Sequence, residues 1–120
     1  MLYCYLRLNP NRNIEKGTKV RIMITLQQVV DILIPIFEKQ GIDKVTVFGS
    51  YARGDFTSTS DIDMVIDSNG RLKGIMFFAA SDEIAKALPI KSDIYEQREI
   101  IKDSTLYNDI SREGVVVYER

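Results

Sequence analysis

From Thr25 onward, the sequence alternates between segments with a helical hydrophobic period and short segments rich in β-branched residues. Both kinds of segment are amphipathic or apolar and too short to stand alone, so this alternation favours helices packed on one β-sheet. The order α-β-α-β-α-β-α-β therefore predicts an α/β (α+β) domain with a small sheet. The predicted helices cover residues 25–41, a short turn from residue 50, residues 74–88 and residues 104–112, and the predicted strands cover residues 44–48, 62–66, 90–95 and 115–118.

The first predicted helix has a clear start, a clear end and one irregularity. Thr25 can act as the N-cap, and Gln28 stands at the matching position of a capping box. Gly41 ends the helix, and Pro35 inside it predicts a bend or a locally open turn because proline has no amide donor. Apolar residues at helical spacing form the predicted buried stripe: Leu26, Val29, Val30, Leu33, Ile34 and Phe37.

Composition limits the chemistry that the chain can perform. Its 120 residues, 45% of them hydrophobic, make one domain with a real core. The chain contains no histidine and a single cysteine. Serine or cysteine nucleophiles paired with histidine, multi-cysteine zinc sites and an internal disulfide are therefore excluded. Without a long apolar run or a signal segment, we expect a cytoplasmic protein that is not embedded in a membrane.

Charge is distributed unevenly along the chain. Residues 1–22 contain five basic residues and one acidic residue, whereas the remainder contains eleven basic and sixteen acidic residues. The acidic body argues against extended binding to nucleic acid. We interpret residues 1–22 as an N-terminal extension of residues 23–120, with Met23 as a candidate for the native start. A genuine N-terminal arm or strand is the alternative.

A candidate phosphate site lies where the first predicted strand ends. Gly49 and Ser50 follow that strand directly and lead into the short helix, so backbone N–H groups and the Ser50 hydroxyl can bind an anion. Gly49 allows a ligand to approach the backbone closely, and Arg53, one turn later, can neutralise phosphate charge. An ordinary strand-to-helix turn would use the same residue types.

A candidate metal site follows ten residues later. Asp61 and Asp63 are two residues apart, so their side chains leave the same face of the predicted strand. Adjacent carboxylates repel each other unless a cation lies between them, and carboxylate oxygens suit Mg²⁺. A solvated loop entering a strand is the alternative. Ser60 is expected to cap the turn or to orient Asp61.

Together the two motifs, Gly49-Ser50 and Asp61-x-Asp63, resemble the signature of the nucleotidyltransferase superfamily that includes DNA polymerase beta. The sequences GSYARG and SDID are especially similar to its minimal nucleotidyltransferase branch, and the resemblance runs from Thr25 to Arg120. It implies the nucleotidyltransferase fold, with a small mixed sheet. It also implies a third carboxylate on the third strand, where this chain has Asp93.

The resemblance implies nucleotidyl transfer assisted by two Mg²⁺ ions, with ATP as donor. Asp61, Asp63 and Asp93 would bind the ions, and Asp93 would also accept the proton of the acceptor hydroxyl. Gly49 and Ser50 would hold the triphosphate, with Arg53 as a further phosphate contact.

The resemblance also implies a partner. Minimal nucleotidyltransferases commonly pair with HEPN-domain toxins, so the leading hypothesis is an antitoxin that transfers AMP to a hydroxyl of such a protein. The alternatives are transfer to a small molecule such as an aminoglycoside, and a non-catalytic subunit that binds nucleotide and neutralises its partner by complex formation. Oligomerisation is left open. Four aromatic residues are candidates for an exposed rim that the partner completes, although Tyr51 and Tyr95 also suit packing: Tyr51, Phe56, Tyr95 and Tyr107.

Overall fold

A computed structural model describes residues 23–120, and the predicted extension 1–22 lies outside this part of the chain. Within it the elements alternate as predicted, with shifts of one or two residues at several ends. The helices are α1 (Leu26–Gln40), α2 (Ser50–Arg53), α3 (Ile75–Ala87) and α4 (Thr105–Glu113), and the strands are β1 (Lys44–Phe48), β2 (Ile62–Asp67), β3 (Ser92–Glu96) and β4 (Val115–Glu119). A 3₁₀ turn, Gln97–Glu99, follows β3.

Helix α1 begins and ends where its sequence signals predict. The Thr25 hydroxyl accepts a hydrogen bond from the Gln28 amide, and the Gln28 side chain accepts one from the Thr25 amide, which completes the capping box. Gly41 ends the helix in the left-handed conformation, at φ 71°. The helix is continuous through Pro35, which is exposed, so a locally open turn is not seen there.

The four strands form one mixed sheet in the order β3-β2-β1-β4. Strand β1 is antiparallel to both β2 and β4, and β2 is parallel to β3. Since β1 runs opposite to β2 and β3, the end of β1 lies beside the starts of the other two. This topology places the Gly49-Ser50 turn beside Asp63, which in turn lies next to Asp93.

The core lies between the sheet and the helices α1 and α3. The predicted stripe of α1 needs one correction, because Ile32 and Ile36 are buried and Ile34 is only half-buried. The stripe is wider than predicted because α1 packs against α3 as well as against the sheet. The largest fully buried side chains are Phe37, Ile24, Leu33, Ile42, Ile62, Met64, Ile66, Ile84, Val29, Val45, Val47 and Val65.

A buried polar contact joins the other ends of β2 and β3. Glu96 and Ser68 are both buried, and the Ser68 hydroxyl donates to Glu96 Oε2 at 3.1 Å while it accepts from the Leu72 amide. This contact closes the turn that leads from β2 towards α3. None of the helices between residues 23 and 120 has both the length and the apolar character needed to span a membrane.

Candidate active site

The candidate site is built around one pair of carboxylates at the shared end of β1, β2 and β3. Strand register places Asp63 opposite Phe48 on one side and opposite Asp93 on the other. Asp63 and Asp93 are therefore direct neighbours on parallel strands, and both are half-buried. Asp63 and Asp93 are thirty residues apart in the sequence, and the connection through α3 brings β3 beside β2.

The surroundings of Asp63 favour its protonated form. The pKa of Asp63 is raised from 3.8 to about 6, mainly by burial and also by the negative charge of Asp93, hydrogen bonding with Asp93 and the charge of Asp61. The charge of Arg53 acts in the opposite direction but has a smaller effect. Such a pKa indicates negative charge concentrated where a cation would relieve it.

Asp61 lies just before β2 rather than within it. Its Oδ2 atom is 3.9 Å from Lys91 Nζ, and both side chains are exposed. The structure thus brings Asp63 and Asp93 together, with Asp61 close enough to influence the pKa of Asp63. Ser60 caps the preceding turn as predicted, since its hydroxyl accepts from the Thr57 amide at 2.8 Å.

Gly49 is required by its close approach to Asp63. Its backbone has φ 75° and ψ −155°, and a Cβ atom at this position would lie 2.4 Å from Asp63 Oδ2. Any side chain here would therefore displace the carboxylate. The turn itself is held by hydrogen bonds from the amides of Ala52 and Arg53 to the Gly49 carbonyl, each 3.0 Å long.

Arg53 lies at the edge of the site and is held by two acidic residues. Its Nη1 atom donates to both carboxylate oxygens of Glu113 at 3.1 Å, and Nε donates to Asp55 at 3.2 Å. Sequence reasoning missed Glu113 and Lys91 as neighbours of the site. Glu113 is sixty residues from Arg53 along the chain, and no spacing pattern connects the two.

The prediction that Tyr51 lies at an exposed aromatic rim is wrong. This side chain is only 3% exposed, its ring stacks on Phe56 with centroids 4.1 Å apart, and its hydroxyl donates to the Ile24 carbonyl. Tyr51 is a packing residue because the second position of the short helix α2 points into the core. Tyr95 packs beside Phe48, with centroids 5.9 Å apart, and is half-buried like Phe56 and Tyr107.

The carboxylate oxygens of the site suit a hard cation, although they do not form a complete set of metal ligands. Within residues 23–120, no three acidic, cysteine or histidine side chains are grouped closely enough to surround an ion. The side chains at this end of the sheet offer carboxylate oxygens, the ligands that Mg²⁺ prefers, and burial together with the charges of Asp93 and Asp61 raises the pKa of Asp63. The residues therefore fit Mg²⁺ by chemistry, and the assignment of Asp61, Asp63 and Asp93 as ligands stays a prediction.

Comparison with known proteins identifies the class to which this fold and these motifs belong. Residues 31–120 match the family described as Polymerase beta, Nucleotidyltransferase. Because this match covers three-quarters of the chain, the chain belongs to the polymerase beta nucleotidyltransferase family. The family, the fold class and the assignment as a nucleotidyltransferase, all predicted from the sequence, are confirmed.

Relatives in two archaea share much of the sequence. The chain is 32% identical over 82 residues to MJ1215 of Methanocaldococcus jannaschii, an alignment that covers 65% of this chain and 95% of the relative. It is 31% identical over 70 residues to the protein adenylyltransferase MntA of Thermococcus cleftensis, covering 55% of this chain and 70% of MntA.

Solved structures share the fold at lower sequence identity. A toxin-antitoxin crystal structure with AMP-PNP has a TM-score of 0.65 at 20% identity and covers 76% of this chain and 73% of the other. A complex of a tri-AMPylated HEPN toxin with an MNT antitoxin, from Shewanella oneidensis, has a TM-score of 0.61 at 19% identity, with coverages of 78% and 72%. At these identities the similarity establishes the fold.

Proposed function

We propose that this nucleotidyltransferase moves AMP from ATP to a hydroxyl group of a HEPN-type partner protein and thereby acts as an antitoxin. The observation that carries the proposal is the Asp63 and Asp93 pair, which lies directly beside the Gly49 turn. Support for the donor and the partner comes from the relative named protein adenylyltransferase and from the toxin-antitoxin complexes that share the fold.

In this proposal the Gly49-Ser50 turn holds the triphosphate of ATP. Because Gly49 has no side chain, the turn lies directly against Asp63, so a triphosphate held by the turn would be beside that carboxylate. The Ser50 hydroxyl and the guanidinium of Arg53 supply hydrogen-bond donors to the phosphate oxygens.

The carboxylates organise the reacting groups. Asp61, Asp63 and Asp93 would hold two Mg²⁺ ions, which supply positive charge to the phosphates and lower the pKa of the acceptor hydroxyl. The hydroxyl oxygen forms a bond to the α-phosphorus of ATP, and the bond from that phosphorus to pyrophosphate breaks. Asp93 accepts the hydroxyl proton, and pyrophosphate leaves with the electron pair of the broken bond.

The direct test is transfer of label from [α-³²P]ATP to the partner. The chain is purified together with the proteins that accompany it in its host, incubated with labelled ATP and MgCl₂, and the modified peptide is mapped. We expect label on a tyrosine, serine or threonine of the partner, and none with the D63A or D93A variants. Label on a small molecule instead would favour the aminoglycoside-type alternative, and a tight complex without any labelled product would favour a binding-only antitoxin.

A further inference from the structure

The guanidinium of Arg53 is held by two acidic side chains. Nη1 is shared between Oε1 and Oε2 of Glu113, and Nε is bonded to Asp55. To the described part of the chain, residues 23–120, Nη2 donates no hydrogen bond. Nε and Nη1 are thus anchored, and the two N–H donors of Nη2 are left for another group.

The backbone of Arg53 is bonded to the turn that lies against Asp63. The Arg53 amide donates to the Gly49 carbonyl, so the residue is connected to the phosphate turn by one backbone hydrogen bond. Gly49 in turn lies against Asp63, since a Cβ atom at Gly49 would be 2.4 Å from Asp63 Oδ2. Arg53 is therefore connected to the phosphate turn through its backbone and to Glu113 through its side chain.

The two acidic partners of Arg53 differ in how firmly they are held. The Glu113 side chain is 17% exposed, whereas that of Asp55 is 62% exposed. Ion pairs with well-exposed partners contribute little, because solvent screens them and both side chains lose freedom. Glu113 is also the last residue of α4, and Gly114 packs closely against Thr46 of β1. Glu113 is therefore the partner with a fixed position.

We propose that Glu113 is a positioning residue that orients Arg53, so that its Nη2 group meets the triphosphate of the bound nucleotide. This inference rests on the proposed function, because it takes the Gly49-Ser50 turn as the phosphate site. An arginine on the surface loses considerable side-chain freedom when it binds a phosphate. A carboxylate that already fixes the guanidinium removes much of that loss before the nucleotide arrives.

The test measures nucleotide affinity without turnover. Binding of AMP-PNP in MgCl₂ is followed by isothermal titration calorimetry for the full chain and for the E113Q, R53A and doubly substituted variants. We expect E113Q to weaken binding by about 3- to 10-fold and the double variant to bind no more weakly than R53A, since both changes remove the same contact. Additive losses would overturn the proposal, and so would E113Q binding equal to or tighter than that of the wild type, because Glu113 would then be uninvolved or would hold Arg53 away from the phosphates.

A matched control lies on the same helix. Asp109 pairs with Arg112 at 2.8 Å on α4 and does not contact Arg53. D109N removes one carboxylate from α4 and should leave AMP-PNP affinity unchanged, whereas an equal loss in D109N and E113Q would assign the effect to α4 as a whole and overturn the proposal. If E113Q does not fold, R53K serves instead, because lysine lacks the fork that contacts two groups at once. R53K binding like wild type would overturn the proposal.

Steady-state kinetics separate this inference from the proposed function. With labelled ATP and the partner, E113Q should raise KM for ATP several-fold with kcat close to that of the wild type. If R53A and E113Q both match the wild type while D63A is inactive, the positioning role fails and the proposed transfer stands. If D63A retains full activity, the proposed site itself is wrong.

Discussion

Two aspartates at opposite ends of the β1-β2 pair have opposite electrostatic surroundings. Asp43, just before β1, accepts hydrogen bonds from Arg120 at 2.7 Å, from Asn69, and from Arg71 at 2.9 Å, and these lower its pKa to about 2. Asp63, near the other end, is half-buried beside Asp93 and Asp61, and its burial together with their negative charge raises its pKa to about 6. The same residue type is thus strongly stabilised as an anion at one end of the sheet and destabilised as an anion at the other.

The difference separates a structural carboxylate from the one that we propose to be functional. The partners of Asp43 come from the turn after β2 and from Arg120, whose amide also bonds the Asp43 carbonyl, so the cluster holds three chain segments together. The neighbours of Asp63 are other carboxylates, and such clustering lowers the stability of the ion-free fold. Perturbed carboxylates of this second kind are typical of catalytic sites.

The largest effect is expected from removing carboxylates at the Asp63 end. The D61A, D63A and D93A substitutions should each reduce AMP transfer by about 10²-fold or more, because these groups organise charge throughout the reaction. Single-turnover transfer of label measures the loss. D43A is the control, and its folded fraction should retain AMP transfer. A D93A enzyme with a near wild-type rate would show that Asp93 is not the third carboxylate of the site.

Glycines beside the two aspartates provide the second comparison. Gly41 and Gly49 have φ values of 71° and 75°, so alanine is strained at both positions. Only at Gly49 would the new Cβ meet a carboxylate oxygen, at 2.4 Å, whereas at Gly41 it would lie 3.8 Å from Arg71 Cδ. We expect G41A to cost about 1 kcal/mol of unfolding free energy and G49A about 2–4 kcal/mol, with loss of transfer in G49A alone. Urea unfolding measures the loss of stability in each variant, and activity assays measure AMP transfer. Equal losses of unfolding free energy in G41A and G49A would contradict the close approach of Gly49 to Asp63.

Neutral amides should change stability in opposite directions at the two ends. In a chelator, D63N should raise the free energy of unfolding by about 1–2 kcal/mol after allowance for solvent screening, because it relieves repulsion with Asp93. D43N should lower the melting temperature, because it removes the anion that two arginines contact. Thermal melts in EDTA at pH 8 measure both, and a D63N variant that melts below wild type would argue against a shared carboxylate site.

The pH dependence of stability should be the smallest effect and again has opposite signs. The folded pKa of Asp63 is above its usual 3.8, so its contribution is fully present below about pH 4 and is lost as the pH rises through about 6. The folded pKa of Asp43 is lowered, so its contribution is present above about pH 4 and is lost as the pH falls through about 2. Urea unfolding in EDTA should therefore show a decline in wild type from pH 4 to 7 that D63N reduces, and an unchanged decline would contradict the raised pKa.

Sequence reasoning succeeded where the signal is local. Thr25, Gln28 and Gly41 define the limits of α1 through contacts within four residues. Ser60 caps its turn through a contact three residues away. The strand that leads into Gly49 and the strand that contains Asp63 were predicted from short segments rich in β-branched residues. Such segments can be identified from their own composition.

Sequence reasoning failed where the burial of a side chain depends on packing between separate elements. Tyr51 suited both packing and an exposed rim, and only the structure shows that it packs, with its ring buried and its hydroxyl donating to the Ile24 carbonyl. Ile32 and Ile36 fall outside the predicted stripe of α1 because α3 covers a second face of that helix. In each case the burial of the side chain depends on an element elsewhere in the chain.

By itself, the sequence determined the alternation of helices and strands, the motif that identifies the family and the acidic residues available for chemistry. Only the tertiary structure decided which of those acids meet: Asp63 lies against Asp93 because β2 and β3 are parallel and in register, while Glu113 reaches Arg53 because α4 ends beside the sheet. The physical reason is the separation along the chain over which each interaction acts. Capping and periodicity act within a few residues of each other, whereas repulsion between carboxylates and the orientation of a guanidinium depend on distances that packing alone sets.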